Sequence, residues 1–274
     1  MFSLRVSLLL LALTIAAPAF GQTVIEPCPA TPEPAKPAIT ATPKKTGVRA
    51  KQTTVDASIP EDPAVEKILA PYSEKVRALT LVIGRLEGTL KKEGVGAGSL
   101  GNFVTDGIRA QARAKLGKPI ALAITNAGGL RKNEISAGEL RASDIFELLP
   151  FENALVVLEL NGTQLLKLLQ IAPRDAQSGA RIQFKWNDQN RAEFLSGKLV
   201  DDSGQEQEID PEKIYTIVTI DYLLNLNSGA YALLQEAKSR TPLNLTLRDA
   251  IMNYVKAETA AGRNIRSRLD NRYV

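Results

Sequence analysis

The sequence predicts a mixed α/β fold, with α/β or α+β connectivity, over residues 60–274. Three observations predict it. Stretches with apolar residues at helical spacing alternate with short apolar runs of strand length. The runs end in Gly, Asn or Pro turn chemistry. No internal repeat breaks the alternation, and the apolar fraction is ordinary for a globular chain able to bury a core.

In chain order, Asp62-Pro63 suits a helix start, and Val65, Ile68, Leu69, Tyr72, Val76 and Leu79 follow helical spacing. Pro71 falls inside that pattern, where it kinks or splits a helix. Leu81 to Gly84 reads as a short strand. Ser99 is placed to cap a second helix that buries Leu100, Phe103, Val104 and Ile108. Ile120 to Thr125 reads as a buried strand running into Asn126-Ala127-Gly128-Gly129. Ser143 is placed to cap a short helix that Pro150 stops, presenting Phe151. Ala154 to Leu160 is strand-like and turns at Asn161-Gly162 into a helix from Thr163 to about Ile171. Arg181 to Trp186 alternates with period two, as a half-exposed strand does. Ile214 to Ile220 is a further apolar strand, followed by an Asn- and Gly-rich loop from Asn225 to Gly229. Thr246 begins the last helix, with Asp249 near the capping-box position and Leu247, Ala250, Ile251, Tyr254 and Val255 inward.

Two segments precede this domain. Residues 1–21 read as a secretory signal: Arg5 supplies the positive start, Val6 to Ala16 is an apolar run, and Ala19-Phe20-Gly21 offers small residues for cleavage before Gln22. The run is shorter than the roughly 20 residues a membrane-spanning helix needs, so the expectation is a periplasmic or secreted protein with no stable membrane span. Residues 22–59 carry Pro27, Pro29, Pro32, Pro34, Pro37 and Pro43 among Ala, Thr and Lys without apolar periodicity. They read as an extended, disordered linker. Cys28 is the chain's one cysteine, which excludes an internal disulfide. It does not directly follow the apolar run as a lipid-anchored cysteine would.

The formal charge is +4 on 274 residues, with acids and bases interspersed. The most basic stretch, Arg263 through Arg266, Arg268 and Arg272, reads as a solvated helix end or tail. With no basic stripe and no interleaved aromatics, a nucleic-acid partner is not expected. There is no histidine. That excludes Ser-His-Asp and Cys-His catalysis and the HExxH zinc site, and it removes the usual ligand of zinc, copper and dinuclear centres. A carboxylate-only magnesium or calcium site remains open.

Four places stand out chemically. Asn126 to Arg131 sets a Gly pair, Gly128-Gly129, between an amide and a guanidinium. Glycines let backbone amides approach a ligand, although the same pattern is common in purely structural turns. It is not a phosphate-cradling P-loop, because no Gly-Lys-Ser or Gly-Lys-Thr follows. Leu149-Pro150-Phe151 pushes an aromatic outward or into the core. Asp221-Tyr222, with the Asn225 to Gly229 loop behind it, sets a tyrosine at a strand end. Gly101-Asn102 at a helix start could hold an anion on free amides or serve as a cap. Together, two aromatics from separate segments flanked by Asn and Arg would suit a purine sandwich.

These motifs are similar to those of a known family. Ser99-Leu-Gly-Asn-Phe-Val-Thr-Asp106, Asn126-Ala-Gly-Gly-Leu-Arg131, Leu149-Pro-Phe-Glu-Asn153 with the strand and helix behind it, and Tyr215 to Tyr231 resemble, in order and spacing, the C-terminal, substrate-binding domain of the 5'-nucleotidases. The resemblance covers roughly residues 62 to 270. It implies a four-layer α/β/β/α domain that binds a nucleoside or nucleotide between two aromatics, by position Phe151 and Tyr222, with Asn126 and Arg131 on base or ribose. Where the family's last loop reads Asn-Gly-Gly-Asp-Gly, this one reads Asn225-Leu-Asn-Ser-Gly229, with Ser228 in place of the acid that holds the ribose. The expected binding set is therefore Asn126, Gly128, Gly129, Arg131, Phe151, Tyr222, Asn225 and Ser228, with no catalytic or metal-ligating residue in these segments. Hydrolysis in the family belongs to a preceding metallophosphatase domain whose two metals are held by His, Asp and Asn. No such domain is legible here, so divalent metals are expected only in a separately encoded metallophosphatase partner. A scaffold domain with a decayed pocket is the alternative expectation, and a carboxylate-only phosphohydrolase is a third.

Overall fold

Asp62 opens the folded unit: its carboxylate accepts the Ala64 amide at 2.8 Å, and Pro63 takes the first position of α1 (Pro63–Leu79), where its missing N–H costs nothing. The computed structural model describes residue 52, residues 54–226 and residues 229–274. The predicted signal (1–21), most of the predicted linker with Cys28, and Ser228 lie outside the described residues. The elements below all belong to the unit Pro60–Val274.

After α1 come β1 (Val82–Glu87), β2 (Leu90–Lys91), α2 (Gly98–Leu116) and β3 (Leu122–Thr125). A single 3-10 turn at Ala127–Gly129 leads to β4 (Glu134–Ile135), β5 (Gly138–Arg141) and α3 (Ala142–Leu148). Then follow β6 (Ala154–Asn161), α4 (Gly162–Leu169), β7 (Ala176–Ser178), β8 (Ala180–Trp186), β9 (Ala192–Val200) and β10 (Glu206–Gln207). The chain closes with β11 (Ile214–Ile220), α5 (Asp221–Asn225), β12 (Ser239–Thr246), α6 (Leu247–Ala260) and β13 (Ile265–Arg266). Helices and strands alternate through a mixed α/β architecture.

The centre is a five-stranded sheet in the order β12-β6-β11-β3-β7. β6 is antiparallel to both β12 and β11, β11 is parallel to β3, and β3 is antiparallel to β7. The register pairs Ile217 with Leu122 and Ile220 with Leu155. All four residues of β3 are buried, as are Leu155, Leu158, Leu160, Ile217, Val218 and Ile220. Such Val-, Ile- and Leu-rich runs are what a strand covered on both faces requires. The remaining strands form smaller sheets: β13-β1-β5, β10-β9-β8 and the pair β2-β4.

This topology positions the functional residues. Because β3 and β11 are parallel and β6 is antiparallel to β11, the carboxyl ends of β3 and β11 and the amino end of β6 meet at one edge. Asn126 leaves β3 there, Asp221 and Tyr222 leave β11 there, and Phe151 and Asn153 enter β6 there. Thr246, paired with Ala154, brings β12 to the same edge and hands the chain to α6. The carboxyl ends of parallel strands are the usual ligand edge of open α/β sheets.

Several sequence expectations need correction. Pro71 neither splits nor ends α1, which continues to Leu79. The apolar stripe of α1 is not buried: Val65, Ile68, Leu69, Tyr72 and Val76 are all exposed, and Tyr72 and Val76 line a groove of about 920 Å³ together with Leu81, Val82, Phe146 and Met252. Ser99 does not cap α2. Ala97, left-handed at φ 60°, precedes the helix after a Gly-rich turn, and the Ser99 hydroxyl accepts the Lys91 amide at 2.9 Å, tying α2 to β2. Gly101-Asn102 is no anion site: Asn102 is buried and donates to the Arg268 carbonyl at 2.9 Å. A side chain at Gly101 would collide with the Gly96 carbonyl, so this glycine serves close packing. Ser143 lies inside α3; the residue before the helix is Arg141, whose amide donates to Asp144 at 2.9 Å. The basic C-terminal stretch is not wholly solvated. Arg272 is buried and pairs with Asp106 at 3.0 Å and with Asp270 at 2.5 Å. Thr246 caps α6 as predicted, accepting the Asp249 amide, and Asn161, expected only as a turn, caps α4 by accepting the Gln164 amide.

Candidate functional site

At the shared sheet edge, Asn126, Gly128, Gly129, Arg131, Phe151, Asn153 and Tyr222 line one cavity of about 280 Å³. That is near the low end of small-molecule sites, roughly 300–1,000 Å³. The groove along α1 is larger, but its lining is apolar side chains with a few scattered polar ones. Convergent polar groups mark a binding site more than volume does, and the smaller cavity has them.

The Asn126–Arg131 segment is pinned from several sides. The Gly129 amide donates to the Asn126 carbonyl at 3.1 Å, and the Arg131 amide to the Leu148 carbonyl at 2.9 Å. Lys92 Nζ donates to the Leu130 carbonyl at 2.7 Å. The Ala127 amide donates to Asp175 at 3.3 Å, and the Tyr231 hydroxyl donates to the other oxygen of that carboxylate. Burial pushes the Asp175 carboxyl above the usual carboxylate range, against the hydrogen bonds from Tyr231 and Ala127. Burial and the neighbouring Asp175 push the Tyr231 hydroxyl far up, so it stays a donor. Neither Gly128 nor Gly129 adopts positive φ; at Gly129 it is the Asn126 side chain that limits the space. A Cβ on Gly129 would sit 3.2 Å from Asn126 Oδ1. That Oδ1 is buried and has no hydrogen-bond partner among the described residues, whereas buried acceptors are nearly always satisfied.

The two rings come from separate segments, as the sequence pattern anticipates. Phe151 is 48% exposed and Tyr222 47% exposed, whereas the neighbouring Leu149 and Leu224 are buried. The Arg131 guanidinium carbon lies 5.9 Å from the Phe151 ring centroid, within cation–π range. Asp221 couples the segments that carry the rings. One of its oxygens accepts both the Tyr222 amide at 2.8 Å and the Ala154 amide at 3.1 Å. Behind Phe151, Arg248 of α6 reaches the Leu149 and Pro150 carbonyls and the Glu152 carboxylate.

Of the eight residues expected from sequence, six line the cavity. Asn225 lies on α5, exposed and outside the lining, and Ser228 lies outside the described residues. Asn153, Asp175 and Arg248 are additions from the structure, which also gives Asp221, noted in the sequence beside Tyr222, its role as acceptor. Asn153 had a signal, standing two residues after Phe151 in the same motif. Asp175 and Arg248 had none, since their partners are distant in sequence. Among the described residues, no group of three or more Cys, Asp or Glu is placed to hold a metal ion, and no helix is long and apolar enough to cross a membrane.

These features define a class: an α/β domain with an aromatic-walled, amide-rimmed pocket and no metal-ligand cluster among its described residues. The family described as 5'-nucleotidase, C-terminal domain, matches residues 80–236, more than half of the chain, and the chain belongs to that family. Curated relatives include the trifunctional nucleotide phosphoesterase of Bacillus subtilis, 28% identical over 148 residues (51% of this chain, 10% of that protein). The apyrase of Tabanus yao is 25% identical over 229 residues (74% and 40%). Among solved structures, the 5'-nucleotidase precursor of Thermus thermophilus superposes with a TM-score of 0.62 at 25% identity, covering 78% of this chain and 43% of that one. The NAD nucleotidase of Haemophilus influenzae, at 19% identity and TM-score 0.56, shares the fold. The chain thus spans less than half the length of each of these relatives.

Proposed function

We propose that this domain binds a nucleoside or nucleotide outside the cytoplasm, with the base between Phe151 and Tyr222 and its edge or the ribose met by Asn126, Arg131 and Asn153. The observation that carries the reading is one cavity lined by both half-exposed rings and by Asn126, whose Oδ1 has no partner among the described residues. Its volume suits a nucleoside more than a whole nucleotide, so phosphates would project outward. A four-layer α/β/β/α arrangement is part of the proposal. So is export to the periplasm or beyond, for which the support is the sequence of residues 1–21.

Hydrolysis is assigned to a metallophosphatase outside these 274 residues, because a dinuclear site built on histidine has no histidine to draw on here. The domain would present the ligand to that enzyme in nucleotide catabolism. Titration calorimetry with adenosine, AMP and a UDP-sugar tests the proposal; absence of heat with all three at millimolar ligand would sink it. A second reading, an interaction domain whose pocket no longer takes ligand, is favoured by the exposed apolar stripe of α1. A stable envelope partner whose capture is unaffected by Asn126→Ala and Phe151→Ala would support that reading instead.

A further inference from the structure

We infer that Arg248 is a positioning residue for the Phe151 ring, fixing one wall of the pocket without touching the ligand. The inference rests on the base-stacking reading above. Arg248 lies in the first turn of α6, just past the Thr246 cap, and is 8% exposed. Its guanidinium reaches back across the sheet edge. Nη1 donates to the Leu149 carbonyl and to the Pro150 carbonyl, each at 3.4 Å. Nη2 donates to the Glu152 carboxylate. The plane packs over the Phe146 ring, 4.3 Å from its centroid.

These contacts bracket Phe151. Residues 149 and 150 before it and 152 after it are held by one rigid fork, while Phe151 itself stays half exposed. Pro150 restricts the backbone further by fixing its own φ. A planar guanidinium reaches the three acceptors from two nitrogens held in fixed directions; an ammonium also has three donors, but on one freely rotating nitrogen. A purely stabilising role is a poor account of this residue. Arg248 Nε is buried with no partner among the described residues, and a buried charge with an unmet donor is a weak source of stability compared with an apolar side chain. What the arrangement does supply is a fixed loop. The loop's far end is fixed separately, through the Asp221 carboxylate on the Ala154 amide. The gap between the rings is then set before a ligand arrives, which removes the ordering cost of binding.

A double-mutant cycle with AMP as the titrant tests this. Arg248→Met keeps the length of the side chain and removes the fork. It should weaken AMP binding by about 2- to 10-fold, part of what a lost stack costs. On a Phe151→Ala background the same change should add nothing measurable, because both act through one ring. Arg248→Lys should fall between wild type and Arg248→Met. An equal loss with and without the Phe151 ring would overturn the inference. A second measurement needs no ligand. Backbone order parameters at Phe151 and Glu152, about 0.85 in a rigid chain, should drop below about 0.6 in Arg248→Met while those of β3 and β11 hold. Unchanged values would overturn it as well, and Arg248→Lys carries the same readout should Arg248→Met not fold. Failure of wild type to bind AMP would strike the base-stacking reading alone, leaving the order parameters to decide on Arg248.

Discussion

Replacing Phe151 with alanine removes one wall of the pocket and little of the core. The ring is 48% exposed, and full burial of a phenylalanine is worth about 1.5–3 kcal/mol, so its loss should cost the fold roughly 1 kcal/mol. For a domain of this size that is a fall in Tm of about 2–4 °C. The binding cost is larger relative to its source. A base stacked on one aromatic contributes about 1–3 kcal/mol. Without ligand, Arg131 sits over the same ring, an exposed cation–π contact of about 0.5–1 kcal/mol that the variant also loses in the free state. The net loss is therefore about 0.5–2 kcal/mol, or roughly 2- to 30-fold in Kd. Titration calorimetry with adenosine and AMP reads it directly, and Phe151→Trp, which keeps a stacking face, should retain affinity. An unchanged Kd in a folded Phe151→Ala protein would refute the assignment of Phe151 as a wall of the site.

Other outcomes follow from the same geometry. Gly129→Ala should displace the Asn126 side chain, since the new Cβ would lie 3.2 Å from Oδ1; calorimetry should show weaker binding and thermal melts little change. Asp221→Ala orphans the Ala154 and Tyr222 amides together, a loss of about 1–3 kcal/mol for each that is left buried and unpaired, so both Tm and affinity should fall. Burial alone would raise the Asp270 carboxyl, but the hydrogen bonds and charge of Arg272 outweigh it and hold it below its ordinary value. A depressed carboxylate contributes stability above its unfolded pKa and loses it as pH falls through the folded one, so Tm should decline below about pH 4 and Asp270→Asn should flatten that decline. Phosphate release from AMP by these 274 residues should stay at background with Mn²⁺, Mg²⁺ or Zn²⁺ added.

How far the sequence could be read depended on how local each cause was. β3, β6, β11 and α6 were legible because continuous apolar runs and capping residues act within a few positions. β9 and β12 leave no such pattern: β9 alternates half-exposed residues with little apolar signal, and β12 carries Pro242 near a bulge at the sheet edge. Ser99 and Ser143 looked like caps because hydroxyls favour helix starts, yet the helices begin one or two residues earlier, where the Gly-rich turn before α2 and the Asp144 carboxylate satisfy the backbone. The α1 stripe showed a helix correctly, but spacing cannot say whether a partner face exists. At the site, Phe151, Tyr222, Asn126 and Arg131 were legible as motif residues. That they share a cavity depends on the β6-β11-β3 order, which no local pattern encodes. Arg248 and Asp175 act on segments roughly 50 to 100 residues away and left no local trace.

The most direct measurement is a crystal structure of the chain with adenosine. The account predicts the base lying between the Phe151 and Tyr222 rings, with a ligand donor on Asn126 Oδ1. Adenosine bound beside Trp186 or in the groove along α1, with the space between those two rings unfilled, would contradict it.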